Sequence, residues 1–117
     1  MNKNARKWVE ALRSGKYKQY QGALNYRDSY CCLGVACEVA MANGVKLTKI
    51  TAPRKLTRYG EAGDIYALPP EVMKWLGIKT PHGSYPGTDL VRINDSGAPF
   101  AEIADTIEEN QKALFRE

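Results

Sequence analysis

The chain has 117 residues, 44% hydrophobic and 26% charged, with three cysteines, one histidine and a formal net charge of +4. That length supports one hydrophobic core and not two. No apolar run reaches the about 18 residues of a membrane span, the start MNKNARKWVEALRSG lacks a secretory leader's unbroken apolar stretch and cleavage site, and an odd cysteine count without framework spacing fits a reducing cytoplasm.

The first element reads as a helix. Ala5, Trp8, Val9 and Leu12 recur at i, i+3, i+4 and i+7, Asn2 or Asn4 can cap the start, and Gly15 supplies a left-handed stop. From Tyr20 onward, alternate positions carry Tyr20, Gly22, Leu24 and Tyr26, a half-buried strand pattern broken by glycine. Residues 30–42 read as a second, almost wholly apolar helix, capped by Asp28 or Ser29 and ended by Asn43-Gly44. Such a helix belongs at the centre of the fold, with Glu38 its one charged residue.

Residues 45–64 read as short antiparallel strands joined by mobile loops, and Ile65 to Leu68 as extended chain. PPEVMKWLG is a short helix with Val72, Met73 and Leu76 on one face and Gly77 at its end. IKTPHGSYPGTD reads as loop, because two prolines and two glycines interrupt it. LVRIND fits either a strand or one helical turn. APFAEIADTIEENQKALF closes the chain as one amphipathic helix, with Pro99 at its first turn and Phe100, Ile103, Ala104, Ile107 and Leu114 facing inward. The expected fold is α+β: a mainly helical single domain of about four helices with one small antiparallel sheet.

Charge is unevenly distributed. Residues 1–27 carry Lys3, Arg6, Lys7, Arg13, Lys16, Lys18 and Arg27 against Glu10 alone, and residues 46–58 carry Lys46, Lys49, Arg54, Lys55 and Arg58 with no acid. Acids dominate after residue 99: Glu102, Asp105, Glu108, Glu109 and Glu117 face only Lys112 and Arg116. If the two basic stretches meet, they form a face attractive to phosphates or to an acidic protein.

DSYCCLGVACEVAMANG places Cys31, Cys32 and Cys37 within seven positions. On a helical wheel Cys32 and Cys37 fall about 140° apart, and Cys31 and Cys37 about 120° apart in the other sense. Thiols diverging so cannot share a tetrahedral metal, and a vicinal Cys31–Cys32 disulfide does not fit helical geometry. A nucleophile at the helix start, Cys31 or Cys32 with His82 as base, is the enzymatic alternative, since the dipole there lowers a thiol's pKa. His82 sits in a proline-glycine loop with no third residue to orient it. The preferred reading is packing: Cys32, Val35, Ala36, Val39 and Ala40 form a small-residue stripe, and Gly34 admits another backbone closely. No metal site and no cofactor are expected.

Four motifs occur in order: WVEALRSGKYKQ, YCCLGVACEVA, LPPEVMKWLGI and LVRINDSGAPFAEIADTIEE. Together they resemble a family of small uncharacterised proteins of tailed phages and prophages, over nearly the whole chain and least between residues 45 and 64. The resemblance implies a viral accessory protein of the host cytoplasm. Such proteins act as stoichiometric inhibitors of host machinery or defence, or sequester signalling nucleotides.

Nucleotide capture needs aromatic faces, cations and backbone N–H groups. The chain supplies Tyr17, Tyr20, Tyr26, Tyr30, Tyr59, Tyr66 and Tyr85, with Arg13, Lys16, Lys18, Arg54 and Arg58. RSGKYKQ offers Arg13, Ser14, Lys16, Tyr17 and Lys18 as a loose phosphate-binding composition without the spacing of a Walker loop. Its simpler account is a Gly15 helix stop followed by a solvated strand. Asn94 and Asp95 of INDSG can meet a ligand hydroxyl or fix a turn through the backbone of Gly97, and the turn is preferred.

The expected ligand-binding set is Arg13, Ser14, Lys16, Tyr17, Lys18, Tyr30, Asn94 and Asp95. The function expected is non-catalytic binding of an anionic, nucleotide-like ligand or of a host protein. Weak nucleic-acid binding through the basic N-terminal face is less favoured, because the acidic face of FAEIADTIEEN repels DNA.

Overall fold

The computed structural model describes residues 1–53, 55–60 and 64–116. Arg54, Glu117 and positions 61–63 of the stretch 45–64 lie outside the described residues. Helix α1 (Lys3–Arg13) starts at Asn2, whose side chain accepts the Ala5 N–H at 2.8 Å. Asn4 instead donates to the Trp75 carbonyl at 2.9 Å. The stripe Ala5, Trp8, Val9 and Leu12 is buried, and Gly15 (φ +76°) follows the Ser14 cap in the left-handed region.

The strand expected from Tyr20 shrinks to β1 (Asn25–Tyr26), paired antiparallel with β2 (Ser29–Tyr30). The Arg27-Asp28 turn has φ of +50° and +60°, a corner that glycine or asparagine normally occupies. Asn25 steadies it by accepting the Asp28 N–H at 2.9 Å.

Helix α2 (Cys32–Ala42) begins two residues later than expected. Neither Asp28 nor Ser29 caps it; the extended Cys31 stands at its N-cap. The helix is buried from Cys32 to Cys37 and touches α1, β2 and the later helices α3 and α4 defined below. Gly34 allows this, because a Cβ there would lie 1.7 Å from the Leu24 carbonyl oxygen.

Strands β3 (Lys49–Thr51) and β4 (Thr57–Tyr59) form a second antiparallel hairpin, as the sequence suggests. Ile65 to Leu68 is bent chain, not a strand, held by Leu24 N–H to Ile65 O (2.7 Å) and Leu68 N–H to Pro81 O (2.9 Å). Helix α3 (Pro70–Leu76) ends at Gly77, φ +72°. The supposed loop that follows contains β5 (Ser84–Tyr85) and β6 (Thr88–Asp89), closed by Pro86-Gly87.

LVRIND resolves as α4 (Leu90–Asp95), with Asp89 accepting the Arg92 N–H at 2.8 Å. The single last helix expected divides into α5 (Phe100–Glu109) and α6 (Gln111–Leu114). Asn110 makes the break, its side chain donating to the Thr106 carbonyl at 2.8 Å. Leu114 and Phe115 thereby turn into the core, where Phe115 meets Trp8 edge-on.

The fold is α+β and mainly helical, but its strands make three two-stranded hairpins, not one sheet. Strands of two or three residues, each closed by its own turn, carry too few ladder bonds to merge. A single bridge, Tyr26 to Leu56, sets the first two hairpins side by side, and another, Gln19 to Tyr30, lays the residue-19 segment along β2.

Candidate functional site

The three thiols are core. Cys31 is 3% exposed, Cys32 and Cys37 are fully covered, and the Cys32 Sγ points to the Leu90 carbonyl at 3.6 Å. Burial pushes the Cys31 thiol up to about 11 although the N–H groups of Gly34 and Leu33 oppose it, and burial carries Cys32 and Cys37 well above the ordinary range. His82 is exposed. A nucleophile needs a thiolate near neutral pH and an open approach, and neither thiol of the enzymatic alternative has them.

Alkaline pH tests this placement. Because the folded Cys31 thiol titrates near 11 and the unfolded one near 9.0, stability is complete below about pH 9 and is lost as pH rises towards 11. Cys31 alone contributes a fall of about 2–3 kcal/mol over that window. Urea unfolding in reductant at pH 8, 9, 10 and 11 measures it, and native thiols should react with iodoacetamide only after urea is added.

Asn94 is fully buried and fully used. Its Oδ1 accepts from Gln19 Nε2 (2.9 Å) and the Cys32 N–H (3.1 Å), while its Nδ2 donates to the Tyr20 carbonyl (2.8 Å) and Asp95 Oδ1 (3.2 Å). Four bonds exhaust a carboxamide. The preferred turn account is corrected: Gly97 N–H bonds the Asn94 backbone carbonyl at 3.2 Å, and the side chain ties residues 19–20 to the start of α2. Asp95 joins this clamp by accepting the Gly22 N–H at 2.9 Å.

The other expected ligand residues do not converge. Arg13 turns to α5, pairing with Asp105 at 2.6 Å and also with Glu108. Ser14 is engaged locally, donating to the Ala11 carbonyl at 2.7 Å and accepting the Lys16 N–H at 3.2 Å. Lys16 and Lys18 are exposed. Tyr17 packs edge-on against the buried Tyr30 at 5.6 Å, and Tyr20 stacks on Tyr26 at 5.0 Å beneath Arg27. These rings cover one another and leave no paired faces for a base. A cleft of about 340 Å³ between α1 and α5 is bordered by Arg13 but by none of the other seven.

A different constellation stands where α2 meets the β3–β4 hairpin. Tyr59, buried, donates to Glu38 Oε2 at 2.6 Å and accepts from Asn25 Nδ2 at 2.9 Å. Lys49 pairs with the same Glu38 oxygen at 2.9 Å and lies 5.8 Å from the Tyr59 ring centroid. Burial, and then the bond to Glu38, push the Tyr59 hydroxyl far above its ordinary value. Lys49, Thr51, Thr57 and Tyr59 share the face of the hairpin towards Glu38, Thr57 and Tyr59 buried and Lys49 and Thr51 still exposed, with the Thr51 and Thr57 hydroxyls 3.1 Å apart. Ile50 and Arg58 face the other way, into solvent.

The two basic stretches meet beside this hairpin. Arg27 N–H bonds the Lys55 carbonyl at 3.1 Å, bringing the first turn against the second. Among the described residues, the three non-glycine positions with positive φ are Arg27, Asp28 and Lys55 (+69°), all at this junction. Such conformations are costly, and they persist where the surrounding structure imposes them. Lys46, Lys55 and Arg58 are exposed, and Ile50 and Tyr66 are the large exposed hydrophobics among the described residues. The sequence carries one signal for this site, the lone acid Glu38 in an apolar helix; its partners, 11 and 21 positions away, leave no local mark.

Among the described residues no helix is long and apolar enough to cross a membrane, and no group of three or more His, Cys, Asp or Glu could hold a metal ion. A family model described as a domain of unknown function, DUF8296, matches residues 1–111. No curated protein and no solved structure matches.

Proposed function

The chain belongs to the DUF8296 family, and from that premise we propose that it is a non-catalytic phage or prophage accessory protein that binds an acidic protein of the host cytoplasm through the β3–β4 hairpin. One observation carries the reading: exposed Arg58 stands opposite exposed Ile50 on a hairpin anchored by Glu38, with exposed Lys46 just before β3 and exposed Lys55 just before β4. An apolar centre with a charged rim suits a protein partner, and like-signed cations select an acidic one. The four ordered motifs support the phage context. Inhibition of a host factor, including one of host defence, needs such a surface and no reactive group.

Nucleotide capture is less favoured because Tyr20 stacks on Tyr26 and Tyr17 meets Tyr30 edge-on, so these rings are engaged with one another. The test compares the protein with its Lys46→Glu/Arg58→Glu variant as immobilised bait in host extract, followed by binding of purified candidates. An acidic protein should bind the parent directly, weaken as salt rises, and bind the variant at least about tenfold less. A nucleotide that raises the melting temperature by several degrees, with no protein retained, would overturn the reading.

A further inference from the structure

Strand β3 is the outer edge of the aligned hairpins, whose order runs from the Gln19 segment through β2, β1 and β4 to β3. Its backbone is in defined register. Thr48 O accepts the Gly60 N–H at 2.7 Å and Ala52 N–H donates to Leu56 O at 2.8 Å, with Ile50 opposite Arg58 between them. An antiparallel ladder alternates, so Thr48, Ile50 and Ala52 turn their backbone groups to β4. Lys49 and Thr51 therefore direct N–H and C=O outward, and those groups have no partner among the described residues.

Edges of this kind are usually blunted by an overhanging lysine. Here Lys49 is drawn inward to Glu38, 2.9 Å away, and the edge is left open. We propose that β3 is a strand-addition site: an extended acidic segment of a protein partner pairs with the outward groups of Lys49 and Thr51. This rests on the acidic-partner reading above and specifies its geometry. An added strand places an apolar side chain beside Ile50 and carboxylates within reach of Lys46, Lys55 and Arg58. A second copy of the chain is disfavoured, because pairing β3 with itself would bring two sets of these cations together. Nucleic acid is disfavoured too, since phosphates accept hydrogen bonds and cannot donate to the outward carbonyls.

The test uses a fluorescein-labelled decapeptide with threonine at every second position and valine and glutamate taking turns at the others, the same peptide N-methylated at alternate amides, and a single-stranded DNA decamer. N-methylation removes the pairing donors and keeps the charge. The plain peptide should bind, and N-methylation should weaken it about tenfold, the effect of losing one or two net hydrogen bonds. Thr51→Pro removes one outward N–H that the β3–β4 ladder does not use and should weaken the plain peptide similarly; because it also deletes the hydroxyl that meets Thr57, Thr51→Val, which loses that hydroxyl and keeps the N–H, is its reference and should bind the plain peptide like the parent. Equal binding of the two peptides would overturn strand addition and leave the acidic-partner reading standing. Binding of neither peptide, with or without binding of the DNA, would overturn both. Self-association at the concentrations used, abolished by Thr51→Pro, would replace the acidic segment with a second copy.

Discussion

Replacing Gly34 with alanine is expected to destabilise the protein by about 3 kcal/mol or more. The new Cβ would lie 1.7 Å from the Leu24 carbonyl oxygen and 2.7 Å from its carbon. Both are backbone atoms, so no rotamer change relieves the clash. Leu24 cannot retreat easily, because its N–H is fixed to Ile65 O at 2.7 Å and its side chain is buried. Alanine's better helix propensity returns only about 1 kcal/mol. The melting temperature should fall by more than about 10 °C. Gly44→Ala is the control: nothing lies within 4 Å of its Cβ position and only its φ of +96° is unfavourable, so it should cost about 1 kcal/mol. Equal losses at the two positions would show that conformation, and not the close approach to Leu24, is what Gly34 supplies.

Asn94→Ala should cost about 3 kcal/mol or more, because it strands several buried groups at once. The Cys32 N–H is one of the unpaired donors at the start of α2, and Asn94 Oδ1 is its acceptor at 3.1 Å. Tyr20 O and Gln19 Nε2 lose bonds of 2.8 and 2.9 Å in the same step, though Gln19 keeps Ala98 O at 2.8 Å. Asn94→Asp should not rescue. It restores two acceptors but sets a buried carboxylate beside Asp95 and loses the donor to Tyr20. Urea unfolding gives the loss, and hydrogen exchange should show the Cys32 amide newly unprotected. A fall of under about 1 kcal/mol in Asn94→Ala would mean that water replaces the side chain and that the clamp is not structural.

These two residues differ in how they could be found. Gly34 stands out in the sequence as a glycine inside an apolar helix, and close backbone approach is what such a glycine signifies. Asn94 reads as turn chemistry because Ser96 and Gly97 follow it, and no local pattern reveals a bond to Cys32 across 62 positions. The same limit hid the node at Glu38. An acid in a buried helix marks an exception, but Tyr59, Lys49 and Asn25 each look ordinary in their own segments. Arg13 misled in the opposite way, a cation beside a glycine whose charge is taken up by Asp105 and Glu108 of α5.

By itself the sequence determined the burial faces of α1, α2, α3 and α5, the covered position of the cysteine helix, and the cationic character of residues 46–58. These follow from periodicity and composition, which act over neighbouring residues and need no knowledge of what lies opposite. Only the tertiary structure decided that the strands stay as separate hairpins, that Asn110 breaks the last helix, and that Glu38 draws Lys49 away from an open edge. Each of those outcomes depends on hydrogen bonds or on turn strain balanced against packing between distant segments, and such partners are specified by the folded chain, not by spacing along it.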